Sequence, residues 1–288
     1  MDTKRVKTWK NFYEVIDEIR EEYGVYRHEL DNGQIYELPN RLLFRGQSNF
    51  NWNLLTTLER KTTASFHVLN YLYHATRCIN EIESFTGFRW NLPDYPEIES
   101  QVRETQDALR VFLPGYDYLV YLRHHGFPSP LLDWTESPYI AAYFAYIDAT
   151  TDDPAVYCYI ESPERAKGRS GDGPMITVKG PFVTTHKRHF AQKAWYTVST
   201  KWNHQQERHY FCQHEDVFKL NNPMQDLLFK IVLPITERKR ALTHLNDYNI
   251  NHFTLFQSED SLIKALSTKE FDISALQQIN PPEDSQPR

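Results

Sequence analysis

The chain has 288 residues, 40% of them apolar, and a formal net charge of −6. That is enough apolar material for a sizeable core, and the overall acidity excludes a uniformly basic nucleic-acid binder. Three widely spaced cysteines, at 78, 158 and 212, exclude a disulfide framework and a cysteine-based zinc knuckle. Residues 1–30 lack the apolar run of a signal peptide, and no stretch reaches the ~18–20 apolar residues of a membrane span. The expectation is therefore a cytoplasmic protein.

Residues 8–23 are predicted to form an amphipathic helix, because Trp9, Phe12, Ile16, Ile19 and Tyr23 recur at three- and four-residue spacing before Gly24. Residues 25–40 read as a polar connection with a turn at Asp31-Asn32-Gly33. A short strand over 41–44 follows and lifts Arg45 to its end, where Gly46 permits a sharp turn. Helices are expected over 62–86, 98–112 and 116–125, with a loop at 90–97. Leu131-Leu132-Asp133-Trp134 reads as a buried strand. Ser137-Pro138 starts a helix over 139–147, with serine as the cap and proline at the first helical position. Strands are expected over 155–160, 175–178, 194–199 and 228–233, then helices over 236–247 and 258–267. The glycine-bearing segment 163–174 is the candidate mobile loop, and residues 278–288 are expected to be a disordered tail. Helices crowding one half and strands the other give an α+β fold. The expected organisation is a single domain over 1–277, with its motif core over 41–267.

Four segments carry residues suited to chemistry. In Phe44-Arg45-Gly46-Gln47-Ser48, Arg45 can grip a phosphate or carboxylate through two parallel bonds, but a structural pairing with a buried acid explains it as well. In His124-His125-Gly126 and Leu132-Asp133-Trp134-Thr135, Asp133 needs a partner to sit among apolar neighbours, and Arg45 is the expected one. Thr135 stands before a helix N-terminus, where anions are favoured. The histidine pair lacks a third ligand, so no metal is expected. In Arg188-His189-Phe190-Ala191-Gln192, the amide of Gln192 opens a strand beside aromatic residues. In Ser258-Glu259-Asp260, capping of a helix is the simplest role for both acids, with a carboxylate facing Arg45 as the alternative. Between Glu161 and Leu220 lie ten Lys or Arg against six Asp or Glu, with five His. This stretch, with Trp195, Tyr196, Trp202 and Tyr210, suits a nucleic acid if its rings are free to stack, and is otherwise an ordinary solvated surface.

These segments, in this order, resemble the FRG domain, a bacterial family named for the tripeptide present here as Phe44-Arg45-Gly46. Trp52, Leu54-Leu55, Pro138, Ala141-Ala142, Phe144-Ala145, Tyr196-Thr197, Phe229-Lys230-Ile231, Pro234, Ile250 and Leu255-Phe256 extend the likeness over residues 41–267. Departures fall at Arg123, where the family often has Gln, at Ser129-Pro130 in place of Thr-Arg, at Ala194 in place of Gly and at Gln257 in place of Pro. The motif order is in turn similar to that of the ADP-ribosyltransferase superfamily, DarT-like toxins included. That resemblance implies a helix-rich N-terminal half packed on a mixed or antiparallel sheet. It also implies NAD as substrate, and a toxin or antiphage effector. Arg45 would then hold the pyrophosphate or ribose, Thr135 would orient the nicotinamide ribose, and Gln192 would stand where the family's catalytic Glu is found. A Gln is no base, so Glu259 or Asp260 would supply the acid. Gln47, Ser48, His124, Asp133, Trp134 and Tyr143 would complete the NAD site. The acceptor would be RNA, DNA or protein, with an antitoxin as possible partner and no membrane involved. Three other readings stay open: an NAD glycohydrolase, a nucleotide-binding module without turnover, and a metal-dependent nuclease using Asp133 and His124.

Overall fold

The computed structural model describes residues 2–104, 111–168, 172–180 and 187–274. The first half runs β1 (Asp2–Arg5), α1 (Trp9–Tyr23), β2 (Val25–Glu29), β3 (Ile35–Pro39), β4 (Leu42–Gln47), α2 (Thr57–Lys61), α3 (Val68–Thr76), α4 (Ile79–Thr86), α5 (Tyr95–Glu104) and α6 (Tyr116–His124). There follow β5 (Leu132–Thr135), α7 (Pro138–Ile147), β6 (Ala155–Glu161), β7 (Met175–Lys179), α8 (Lys187–Ala191), β8 (Ala194–Asn203) and β9 (Arg208–Phe211). The chain then forms α9 (His214–Lys219), β10 (Asp226–Val232), α10 (Arg238–Asp247), α11 (His252–Phe256) and α12 (Glu259–Ser267).

The architecture is α+β on an eight-stranded mixed sheet of order β1-β10-β6-β4-β5-β8-β7, with β9 also paired to β8. Only β1 and β10 run parallel. β4 pairs with β6 from Leu42 to Gln47, and β5 pairs with β8 from Leu132 to Thr135. Between β4 and β5, by contrast, one residue pair holds, Phe44 opposite Thr135. The sheet is thus two halves joined at a seam that opens beyond Phe44.

Three apolar clusters clothe it. α1, α7 and α10 cover one face of β4, β6 and β10 through Phe12, Ile16, Phe44, Cys158 and Leu242. α3, α5 and α6 pack against β8 through Tyr71, Leu72, Leu119 and Tyr196. Leu43, Trp134, Tyr157, Tyr159 and Val217 fill the opposite face at the centre. The odd–even alternation of β6, with Val156 and Cys158 on one side and Tyr157 and Tyr159 on the other, sends its side chains into two different cores.

The helix around residues 8–23 forms as expected, capped by the Thr8 hydroxyl. α7 begins at Ser137, whose hydroxyl accepts from the Ile140 amide at 3.3 Å. Four expectations are corrected. The polar connection 25–40 is a hairpin of β2 and β3, hidden because nearly all of its residues face solvent and show no apolar alternation; the foreseen turn, with Gly33 at φ 77°, is its tip. The helix foreseen over 62–86 is two, α3 and α4, with Thr62 extended ahead of them. The strand foreseen to end before Arg45 continues through Gln47. Gly46 is therefore no turn. A Cβ there would stand 2.0 Å from the Ala141 carbonyl oxygen and 2.5 Å from the Ala145 amide nitrogen, so glycine lets α7 lie directly on β4. Finally β1, β9, α2, α8, α9 and α11 have no counterpart in the sequence reading. The expected tail 278–288 and residues 169–171 of the expected mobile loop lie outside the described residues. Among the described residues no helix is long and apolar enough to cross a membrane.

Candidate active site

The open seam between β4 and β5 leads into a cleft of about 420 Å³ walled by β4, β5, α6, α7 and the segment around α8. Arg45 bridges the gap. Its Nη1 donates to the Asp133 carbonyl oxygen at 2.9 Å and lies 3.9 Å from the Asp133 carboxylate. The principal partner of that carboxylate is Arg123 of α6, which forks onto both oxygens. Arg123 also reaches the Thr57 hydroxyl at 3.2 Å. The expected pairing of Asp133 with Arg45 is therefore the weaker of two. Arg123, noted in the sequence only as a departure from a family pattern, does most of the neutralising.

Burial, the largest influence, lowers the pKa of Arg45 to about 10, with Arg123 and Arg60 adding to the fall and Asp133 opposing it. At neutral pH the guanidinium stays charged. Burial alone would raise Asp133, but Arg123 and then Arg45 hold it below the ordinary carboxylate range. Four guanidinia, of Arg45, Arg60, Arg123 and Arg188, face two carboxylates, of Asp133 and Asp148. The cleft is cationic in an acidic chain.

Its polar groups are braced from behind. Trp134 donates its indole N–H to the Thr197 hydroxyl at 2.8 Å, and Thr197 meets His214 Nε2 at 2.8 Å. Burial, with Arg45 nearby, drives His214 down to about 3, so it is neutral. The Thr135 hydroxyl accepts from the Ser137 amide at 3.1 Å. Arg188 Nη2 donates to the His124 carbonyl at 2.8 Å, and Gln192 Nε2 to the Leu255 carbonyl at 3.0 Å.

Of the residues that line the cleft, three bring a buried polar atom without a hydrogen-bond partner among the described residues: Arg45 Nε, Arg188 Nε and Gln47 Oε1. The orientation of Gln47 is fixed. Its amide faces the Asn53 carbonyl at 3.2 Å, a group that only accepts, so the nitrogen must lie there and the oxygen must face elsewhere. Buried polar groups without partners are rare and costly. Here they ask for a ligand that offers acceptors to two guanidinia and a donor to an amide oxygen.

Of the residues singled out from sequence, Arg45, Gln47, Ser48, His124, Asp133, Trp134, Thr135 and Gln192 all line this cleft. Gln192 does not open a strand; it lies in the turn between α8 and β8. Tyr143, Glu259 and Asp260 lie elsewhere. Tyr143 is 2% exposed in the core behind α7. Glu259 and Asp260 are exposed in the first turn of α12, where Ser258 and Ser261 make the cap hydrogen bonds, and neither lines the cleft. Of the four rings considered for stacking, Trp195, Tyr196 and Trp202 are buried and only Tyr210 is half-buried. Asp148 is not singled out by the sequence, and Phe144 and the rim ring Trp52 enter only as parts of the family pattern, but all three stand in the cleft wall. A signal existed for the first two: Ala141, Phe144 and Asp148 share one helical face at three- and four-residue spacing.

Residues 40–154 match the FRG domain family. That stretch contains β4, β5, α6 and α7, and so most of the cleft wall, whereas Arg188, Gln192, Tyr196 and Phe256 reach the cleft from later in the chain. No curated protein and no solved structure matches the chain.

Proposed function

We propose that this chain is an ADP-ribosyltransferase-like enzyme with NAD as its substrate in the seam between β4 and β5. The observation that carries the reading is the set of partnerless buried groups. Arg45 Nε and Arg188 Nε call for acceptors and Gln47 Oε1 for a donor. A dinucleotide diphosphate brings phosphate oxygens and ribose hydroxyls together, and flat rings find Trp52, Phe144 and Phe256 in the same wall. The order of Arg45, then Thr135 ahead of α7, then Gln192 is the motif order on which the ADP-ribosyltransferase resemblance rests.

The acid of the reaction falls to Asp148. Asp133 is engaged by two arginines, whereas Asp148 is exposed in the cleft wall with no ion-pair partner among the described residues. When the nicotinamide–ribose bond breaks, positive charge develops on the sugar, and one fixed carboxylate is worth ~10²–10³ in rate at such a centre. Arg45, Arg188 and Gln47 orient the substrate, Thr135 and Gln192 supply neutral hydrogen bonds, and Asp148 meets the developing charge. On this reading the acceptor is a nucleic acid or a protein, and the activity is that of a toxin or antiphage effector.

The test is incubation with NAD labelled in its adenosine, together with cell lysate. Label on RNA, DNA or protein that disappears with Arg45→Ala is the expected result, and growth arrest on expression should be relieved by the same change. Nicotinamide release without transfer identifies a glycohydrolase. A second reading, a nucleotide-binding module, is favoured by the engagement of Asp133 and by Gln192 standing where the resemblance places a Glu. NAD binding without any nicotinamide release decides for that module.

A further inference from the structure

A second cavity, of about 680 Å³, lies between α1 and the start of α10. Two stretches of the chain meet there. From Thr3 to Tyr13 there are four Lys or Arg and no acid, and from Arg238 to His244 there are three more and again no acid. The packing of α1 and α10 on α7 brings Lys10, Lys239 and Arg240 into one wall, with Asp247 as its single acid.

The adjacent acid, Glu237, pairs with one of the three cations, Arg240. Glu237 accepts from the Trp9 backbone amide at 2.9 Å and stands 3.7 Å from Arg240. Lys10 and Lys239 have no carboxylate partner among the described residues. Fixed donors stand beside them. The indole N–H of Trp9 donates to His244 Nδ1 at 3.1 Å. An indole nitrogen only donates, so Nδ1 accepts and the imidazole hydrogen sits on Nε2. The Tyr13 hydroxyl meets the same Nδ1 at 2.5 Å, which leaves Nε2–H as the donor His244 can offer a ligand. Thr236 adds a hydroxyl, whereas Thr243 directs its hydroxyl proton to the Lys239 carbonyl at 2.8 Å. Tyr248, 66% exposed, stands edge-on to His244 at 4.8 Å. Cations, oriented neutral donors and an exposed ring are the parts that hold a phosphate ester carrying a base.

We propose that the cavity between α1 and α10 is a second anion site that binds phosphate groups. It lies on the α1–α10 side of α7, away from the Ala141–Phe144–Asp148 face that lines the cleft. The phosphates come either from a free nucleotide or from a nucleic-acid strand. The site stands apart from the NAD reading, which can fail without affecting it.

The experiment uses the full chain at low salt in two arms: anisotropy of a labelled single-stranded oligonucleotide, and calorimetry with pyrophosphate and ATP. Wild type is expected to bind at least one probe. Lys239→Glu with Arg240→Glu should weaken that binding by about ten-fold or more and flatten its salt dependence, since each lost phosphate contact removes about one counterion from the slope. Arg45→Ala should change it less than about two-fold. Binding of the oligonucleotide alone identifies a strand as the source, and binding of pyrophosphate and ATP identifies free phosphate groups. An unchanged thermal melt and circular dichroism spectrum of the double variant check that the fold is intact. No binding of any probe, binding indifferent to the double substitution, or binding that follows Arg45 would each overturn the proposal.

Discussion

On the α7 side of β4, Phe44 is 1% exposed and Gly46 lies against helix backbone with no room for a methyl group. On the other side, one residue out of phase, Arg45 and Gln47 bring buried polar atoms that the protein does not satisfy. The strand's two-residue period makes both possible at once. One face is closed by contact and positions α7, and with it Thr135 and Asp148. The other is left short of hydrogen bonds, which favours any ligand that supplies them. Stability and binding are thus assigned to alternate residues of one strand, and substitutions there should separate the two.

The largest effect is expected at Gly46. Gly46→Ala forces β4 and α7 apart and should cost about 3 kcal/mol or more in a denaturant titration. A variant as stable as wild type would show that the strand–helix contact is looser than the distances imply. Asp148→Asn should lower nicotinamide release by ~100-fold while NAD affinity and stability hold, the exposed position costing no more than ~0.5 kcal/mol. Equal rates would return the cleft to a binding role. Asp133→Asn leaves Arg123, 8% exposed, without its charge partner. The expected loss is about 2 kcal/mol, below the ~3–5 of a fully buried pair because Asp133 is 44% exposed to the cleft. Such a loss should resist added salt, and one that vanished at ~0.5 M salt would mark the pair as a surface contact.

His214 gives the subtlest test. Its folded pKa, about 3, lies below the ~6.5 of an unfolded histidine. The unfolded chain therefore binds a proton that the folded chain refuses as pH falls from ~6.5 towards 3. The stability from a neutral His214 is complete above ~6.5 and declines through that window, by about 2 kcal/mol at pH 5. His67, His125 and His252 are depressed too, so the readout is a difference: His214→Gln should flatten the pH dependence of unfolding by that amount. Parallel curves for the two proteins would mean that His214 titrates normally and does not brace Trp134 as a neutral ring.

Local signals in the chain sufficed for much of this. The 3–4–3 spacing of Trp9, Phe12, Ile16 and Ile19 placed α1, and Ser137-Pro138 placed the start of α7, because amphipathicity and capping act within a few residues. The motif residues Arg45, Gln47, Asp133, Thr135 and Gln192 could be picked out by chemistry and order, and they do share a cleft. What neighbours cannot encode was misread. Gly46 looked like a turn because the helix that demands it lies 95 residues further on. Tyr196 and Trp202 looked like a stacking surface because a count of rings and charges carries no burial. The hairpin of β2 and β3 escaped notice because a strand wet on both faces has no period to read.

By itself, then, the sequence determined the α+β class, the helices with a clean apolar stripe, and a short set of residues fit for anion chemistry. Tertiary structure alone decided that β4 and β5 meet at one residue pair, that Arg123 rather than Arg45 takes the larger share of the Asp133 charge, and that Asp148, not Glu259 or Asp260, stands in the cleft. Strand pairing and charge pairing join residues far apart in the chain, and their energies depend on distance and burial that exist only once the sheet has closed.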